Sequence, residues 1–271
     1  MTIEEMKRRK KELGYSNAKV AELAHLPVGT VQKVFGGETK SPRYDTLRAL
    51  ELVLSSDSGR NMGLTAQEAS AYGVQSNGFQ RAHDRTGDKT INDYTALPEG
   101  TRVELIDGIF YDMAAPTTIH QFIAGRIFRE LQDYVEKKKG KCIPFIAPTD
   151  VQIDCDDKSM LQPDVLVVCD RSKITRARIV GAPDFVVEIV SPGNATTDVY
   201  IKLIKYQMAG VREYWIVFPD EKRVVVYDFT KSSKPEIYTF DDSIPVAIWG
   251  GGCKVDFKRI YEQAAFIYEL P

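Results

Sequence analysis

The sequence pattern changes across residues 55–88, and this change limits what the 271-residue chain can fold into. Ten of the 34 residues in this segment are Gly or Ser, and apolar periodicity fades there, which predicts a linker. Residues 1–54 have the apolar spacing of helices, whereas residues 89–271 are rich in strand patterns with two helices. The sequence therefore predicts an α+β protein with a small all-α head and a larger body.

Charge divides at the same place. Residues 1–54 hold ten Lys and Arg against seven Asp and Glu, a net charge of +3, although the whole chain carries −2. Because residues 55–89 are balanced, the remainder carries −5. A basic head favours a polyanion such as DNA as its partner. An acidic body is compatible with a metal site and also with an ordinary domain.

Composition argues against several other classes of protein. No apolar run approaches the ~18 residues that a membrane-spanning helix needs, so we expect no membrane partner. The charged N-terminus has no apolar stretch after it, so we expect no secretory signal and a cytoplasmic location. The cysteines are scattered and form no CxxC, which argues against structural zinc and predicts reduced thiols. They are Cys142, Cys155, Cys169 and Cys253.

Four helices are predicted in the head. The first follows Ile3, the second is capped by Asn17, the third ends at Gly36 and Gly37, and the fourth covers residues 44–54. The second and third are short and joined by a tight turn at residues 25–27. A pair of this kind is typical of a helix-turn-helix.

The head resembles the helix-turn-helix of Xre and repressor-type proteins through the string VAELAHLPVGTVQKVFGG at residues 20–37. The resemblance implies that the third helix enters the major groove, with Val28, Gly29, Gln32 and Lys33 facing base edges. It also implies phosphate contacts from Asn17, Lys40 and Arg43, which position the protein without reading sequence. The alternative is a helical bundle used for dimerisation, and on that interpretation the chain forms a homodimer.

Two carboxylates interrupt apolar strands in the body. Asp164 precedes the run VLVV at residues 165–168, and Glu188 lies within the apolar residues 185–190. A charge in a buried strand costs several kcal/mol unless it is paired or bound to a metal. Either carboxylate alone is explained as well by a strand end that reaches solvent. Together, on neighbouring strands, they form an oxygen site that suits Mg²⁺ or Mn²⁺.

An ordered set of short sequences makes the interpretation of the body more specific. They are ELIDG at residues 104–108, His120, PDVLVV at 163–168, GAPDFVVEIVSP at 181–192, DVYIKLIKY at 198–206 and AGVREYWIV at 209–217. This set resembles the Uma family of restriction endonuclease-like bacterial proteins, within the PD-(D/E)xK nuclease superfamily. The resemblance covers residues 89–271 and implies an αβββαβ core with a mixed central sheet. It also implies metal-dependent hydrolysis of phosphodiester bonds.

The resemblance assigns roles to three acidic residues and one histidine. Asp164 and Glu188 would bind Mg²⁺ or Mn²⁺, and Glu104 would join the same metal shell. His120 would contact a phosphate or a water at the metal, although an isolated histidine near a helix start is more often structural.

The basic residue departs from the superfamily pattern. The superfamily lysine normally follows the acidic residue by two positions, but position 190 is Val. In the Uma group this residue comes from the next helix, where Lys202 matches the usual position and Lys205 is the second candidate. Both lie on one helical face. The alternative is a solvent-exposed face on which Asp198 and Lys202 form an ordinary ion pair.

The predicted function is therefore a metal-dependent endonuclease that the helix-turn-helix targets to DNA. The main alternative is a DNA-binding transcriptional regulator or adaptor whose nuclease-like domain is inactive. A second alternative has the head as a dimer-forming adaptor and RNA or a damaged end as the substrate. The joint presence of Asp164, Glu188 and Lys202 favours the enzyme, because a degenerate site tends to lose at least one such residue.

Overall fold

The computed structural model describes residues 3–24, 26–37, 46, 50, 53–54, 87–154, 157–191, 197–232 and 234–270. The chain divides into two compact units, residues 1–72 and residues 73–271. Several predicted features lie outside the described residues. They are Lys40, Arg43, Cys155, the segment 55–86, the side chain of Asp198 and most of the fourth helix of the head.

In the described part of the first unit, three helices surround a small apolar core. They are α1 (Ile3–Glu12), α2 (Asn17–Leu23) and α3 (Val28–Gly36). Met6, Val20 and Val31, one from each helix, are at most 1% exposed. Gly37 ends α3 with a left-handed φ of 79°, which glycine adopts without a steric cost. Leu50 is helical and buried in the same core, as the fourth predicted helix requires.

The second unit contains twelve strands and four α-helices among its described residues. The strands are β1 (Val103–Ile106), β2 (Ile109–Asp112), β3 (Ile143–Ile146), β4 (Val151–Gln152), β5 (Val165–Val168), β6 (Ile179–Val180), β7 (Phe185–Ile189), β8 (Glu213–Phe218), β9 (Arg223–Asp228), β10 (Glu236–Thr239), β11 (Ser243–Pro245) and β12 (Lys254–Asp256). The helices are α4 (Ile91–Thr95), α5 (Thr118–Lys138), α6 (Thr197–Ala209) and α7 (Phe257–Tyr268).

Six strands form a mixed sheet in the order β10-β9-β8-β7-β5-β3. Neighbouring strands are antiparallel except β7 and β8, which are parallel. A parallel pair needs a crossover connection, and α6 supplies it between β7 and β8. The element order α5-β3-β5-β7-α6-β8 is therefore the αβββαβ order that the family resemblance implies.

Different helices cover the two faces of this sheet. On one face, Val187 and Trp215 are fully buried in a core that also contains residues of α5 and α7. On the other face, α6 packs Tyr206 against Tyr214 of β8, with ring centroids 5.0 Å apart. Successive residues of a strand point to opposite faces, so Glu188 lies on the face that α6 covers.

One predicted helix cap is displaced by one residue. Ser16, not Asn17, caps α2, because its Oγ accepts the N–H of Lys19 at 3.0 Å. The sequence offers two adjacent capping residues there, and residue type alone does not distinguish them. At the start of α5, Thr117 is the cap, because its Oγ1 accepts the N–H of His120 at 3.3 Å.

The prediction that the cysteines are reduced is wrong for one pair. Cys142 and Cys169 form a disulfide, whereas Cys253 is a buried free thiol. The register of β3 and β5 pairs Ile143 with Val168, so the two bonded cysteines lie directly across from each other one position further on. Spacing along the chain does not reveal this pairing, because it depends on strand register.

The C-terminal tail is ordered although its sequence pattern gives no clear prediction. β11 pairs with β12, and α7 buries Phe257 and Ile260 in the core on the α5 face. These strands are only three residues long, which is too short for an alternating pattern to stand out. None of the described helices is long and apolar enough to cross a membrane.

Candidate active site

The two carboxylates that interrupt apolar strands lie on one face of the sheet. The β5–β7 register pairs Val165 with Val187, and its continuation by one position places Asp164 directly across from Glu188. Opposed residues of antiparallel strands point to the same face, with Cβ atoms about 4.5–5.5 Å apart. The N–H of Ile189 donates to Asp164 Oδ2 at 2.7 Å and holds that side chain against β7. The structure thus brings the two predicted residues together.

His120, at the start of α5, lies beside Asp164. Its Nε2 is 3.1 Å from Asp164 Oδ2, and the two side chains are 8% and 15% exposed. Oδ2 therefore has two partners, His120 and the N–H of Ile189. No described residue donates to Oδ1. The family resemblance implies a phosphate or water contact for His120, and the structure gives it a carboxylate partner.

A lysine from α6 lies between two buried glutamates. Lys202 Nζ is 2.8 Å from Glu104 Oε2 and 3.2 Å from Glu188 Oε1. Tyr206, four residues further along α6, donates its hydroxyl to the same Glu188 oxygen at 2.6 Å. Glu104 reaches this cluster from β1, and its other oxygen accepts the N–H of Gln162 at 2.8 Å. The helix thus contributes a cation and a hydroxyl, and the strands contribute the carboxylates.

Burial and charge shift the pKa values of three side chains in this cluster. Burial raises the pKa of Glu188 to about 8, while the Lys202 ammonium opposes that rise and the Asp164 carboxylate adds to it. Burial alone would lower the pKa of Lys202, but Glu104 and Glu188 outweigh it and raise that pKa above its ordinary value. Burial also holds the pKa of Tyr206 well above its usual range. Lys202 therefore stays charged, and the Tyr206 hydroxyl keeps the proton that it donates.

Lys205 contacts a different pair of carboxylates. Its Nζ bonds to Asp107 in the β1–β2 turn and to Asp154 shortly after β4. No described contact joins Lys205 to Asp164 or Glu188. Of the two lysines that the sequence proposes as the basic residue, the structure brings only Lys202 to the paired carboxylates.

The paired carboxylates are a donor set that suits Mg²⁺ or Mn²⁺. Asp164 and Glu188 offer hard oxygens, and Mg²⁺ is commonly held by one or two carboxylates together with waters and substrate phosphates. Glu104, expected as a third ligand, contacts Lys202 and Gln162 in this structure, and its part in a metal shell stays a prediction. The described residues contain no group of three His, Cys, Asp or Glu side chains arranged for a metal ion.

Two residues of the site were not predicted. Tyr206 follows Lys202 by four positions on a helix, so the spacing places both on one face and could have indicated it. Gln162 donates its backbone N–H to Glu104, and its side-chain amide to Asp150 Oδ1 at 2.7 Å. A backbone contact depends on the fold and leaves no signal in the residue type.

The residues expected to face DNA bases lie on one exposed side of α3. They are Val28, Gly29, Gln32 and Lys33. Val31 and Val34 are buried on the opposite side of the helix. Asn17, expected to contact a phosphate, accepts a hydrogen bond from Lys10 Nζ within the same unit. The base-facing set is therefore accessible, whereas the Asn17 side chain already has a partner.

Comparison with known proteins agrees with this fold. Residues 91–249 match the Uma2 family, which carries the description "Putative restriction endonuclease". The fold is similar to a crystal structure of "a putative nuclease belonging to DUF820 from Anabaena variabilis ATCC 29413", with a TM-score of 0.54 and 24% sequence identity over 64% of this chain and 97% of that chain. A search of curated proteins gave no match. The family match spans more than half of the sequence, and the chain therefore belongs to the Uma2 family.

Proposed function

We propose that this chain is a metal-dependent endonuclease that hydrolyses phosphodiester bonds in DNA, with Asp164 and Glu188 holding Mg²⁺ or Mn²⁺. One observation carries the proposal. Asp164 and Glu188 are opposed on one face, and Asp164 Oδ1 and Glu188 Oε2 accept no hydrogen bond from a described residue. The charged Lys202 lies beside them. The description of the Uma2 family supports the same activity.

Each residue of the site has a distinct part in the proposed reaction. His120 and the N–H of Ile189 fix one oxygen of Asp164, which orients the other oxygen. Lys202 has three N–H donors and uses two on Glu104 and Glu188, so one remains for a phosphate oxygen or the attacking water. A preorganised ammonium of this kind stabilises negative charge that develops on the phosphate. When bound, the divalent ion supplies Lewis-acid stabilisation and acidifies the attacking water.

The head would supply DNA affinity. The exposed side of α3 carries Gln32 and Lys33, residue types that reach base edges or phosphates. Residues 1–54 carry a net charge of +3, which favours binding to a polyanion. We therefore propose that residues 1–54 bind duplex DNA and that the body cleaves it.

A plasmid-nicking assay tests the proposal. We expect the purified chain to nick supercoiled DNA with Mg²⁺ or Mn²⁺ and to be inactive in EDTA. Asp164→Asn should reduce the rate by roughly 10²–10³-fold or more, since it removes a charged ligand of the ion. Asp133→Asn is the matched control, because Asp133 is an exposed residue of α5 whose Arg129 contact is 3.7 Å long.

The outcomes separate the alternatives. Cleavage of RNA or damaged ends but not intact duplex DNA would assign a different substrate to the same site. DNA binding itself can be measured by a gel shift at low salt. If the chain binds duplex DNA there but cleaves none of these substrates, the result favours the DNA-binding regulator and contradicts the proposed activity.

A further inference from the structure

Two neighbouring tyrosines beside the site are equally buried but differ in their hydroxyl contacts. Tyr206 of α6 and Tyr214 of β8 are both 0% exposed, and their ring centroids are 5.0 Å apart. The Tyr206 hydroxyl donates to Glu188 Oε1 at 2.6 Å. The Tyr214 hydroxyl is buried and has no partner among the described residues. One hydroxyl therefore acts on a site carboxylate and the other does not.

The Tyr206 contact restricts the Glu188 carboxylate. The terminal torsion of a glutamate is broad, so an unrestrained carboxylate exchanges its two oxygens easily. In this structure Oε1 accepts from both Lys202 and Tyr206, two residues on the same face of α6. With two donors on Oε1, rotation is restrained and Oε2 is the oxygen left for a ligand.

We propose that Tyr206 is a positioning residue of the cation site, whose hydroxyl fixes Glu188 Oε1 so that Oε2 is held ready for a divalent ion. This inference rests on the proposed function, because it concerns the same site. Partners that orient a metal ligand commonly change metal affinity or activity by 10–100-fold. If the Tyr206 hydroxyl served only as a structural hydrogen-bond donor in the core, its removal would lower stability and leave ion affinity unchanged.

The tyrosine pair provides its own matched control. Tyr206→Phe and Tyr214→Phe each remove one fully buried hydroxyl from adjacent rings and leave the aromatic packing in place. We would titrate Mn²⁺ into the full-length wild-type chain and both variants by calorimetry, after circular dichroism shows that each is folded. Single-turnover nicking at saturating DNA would be measured on the same samples.

We expect Tyr206→Phe to bind Mn²⁺ about tenfold more weakly or worse, and Tyr214→Phe to stay within about twofold of wild type. If Tyr206→Phe binds Mn²⁺ as tightly as wild type, or if both variants weaken alike, the positioning role is overturned while the proposed function stands. If wild type itself binds no Mn²⁺ at millimolar concentration, the cation site and this inference both fall. Wild-type binding without cleavage would overturn the proposed activity alone.

Discussion

Lys202 and Lys205 lie about one turn apart on α6, and each is a buried lysine with two carboxylate partners. The partners of Lys202 are on strands β1 and β7, and their side chains, Glu104 and Glu188, are 5% and 11% exposed. The partners of Lys205 are in the β1–β2 turn and a loop, and their side chains, Asp107 and Asp154, are 44% and 23% exposed. The two lysines are alike, and only their acidic partners differ.

This difference separates a lysine beside the proposed cation site from a lysine that anchors a turn. Glu188 lies opposite Asp164, and its Oε1 accepts hydrogen bonds from both Lys202 and Tyr206. Lys202 therefore belongs to a dense carboxylate cluster. Asp107 occupies the left-handed turn of the β1–β2 hairpin, with φ of 49°. Lys205 therefore ties the hairpin to α6. Because Glu104 lies on that hairpin, this tie also helps to keep Glu104 within reach of Lys202.

Among the lysine variants, the largest effect on cleavage is expected from Lys202→Met. Nicking should fall by roughly 10²–10³-fold, the size of losing one preorganised electrostatic partner. Stability should fall by about 3–5 kcal/mol, because Glu104 and Glu188 are left buried without a cation. Mn²⁺ affinity should stay the same or rise slightly, because removing a competing cation outweighs the loss of one of the two donors on Glu188 Oε1. Single-turnover nicking, urea unfolding and calorimetry measure the three quantities, with the exposed Lys258→Met as control.

A smaller effect is expected from Lys205→Met. Stability should fall by about 1–3 kcal/mol, because Asp107 and Asp154 reach solvent more easily than the partners of Lys202. Nicking should fall by about tenfold at most, the lower end of what supporting contacts contribute. The same assays apply. An inactive Lys205→Met beside a fully active Lys202→Met would reverse the comparison and place the reacting cation one turn further along α6.

The smallest effect on cleavage is expected from a lysine of the other unit. Lys33→Ala should weaken duplex DNA binding by about 1–3 kcal/mol if Lys33 reads a base. It should leave the nicking rate at saturating DNA unchanged, because the proposed reaction uses only residues of the body. Gel shift across a salt series measures the first quantity, and wild-type binding should weaken steeply as salt rises. Salt-insensitive binding would favour the dimerisation alternative for residues 1–54.

The two α6 lysines also show how far the sequence alone leads. Asp164 and Glu188 stand out because a carboxylate in an apolar strand needs a partner, and that argument requires no knowledge of the fold. The family resemblance then assigns the basic residue to the next helix, with Lys202 and Lys205 as candidates, and helix periodicity puts both on one face. The choice between them depends on which acidic residues each lysine contacts. Those partners, such as Glu104 of β1 for Lys202 and Asp154 for Lys205, lie far from α6 in the sequence.

Other features are hidden from the sequence for the same reason. The Glu104 contact with Lys202 joins residues far apart in the chain, so the sequence gives no sign of this ion pair. The Cys142–Cys169 disulfide depends on the register of β3 and β5. Local signals such as the positive φ values of Asp107 and Gly108 in their two-residue turn are fixed by neighbouring residues alone, so they could be predicted.

The most direct test of the central claim is an anomalous difference map from crystals of the full-length chain soaked in Mn²⁺. We expect one peak within roughly 2.0–2.2 Å of an Asp164 oxygen and a Glu188 oxygen, with Lys202 still paired to Glu104 and no peak in Asp164→Asn crystals. The absence of a peak at saturating Mn²⁺, or a peak that contacts neither carboxylate, would contradict the assignment of these two residues as the cation site.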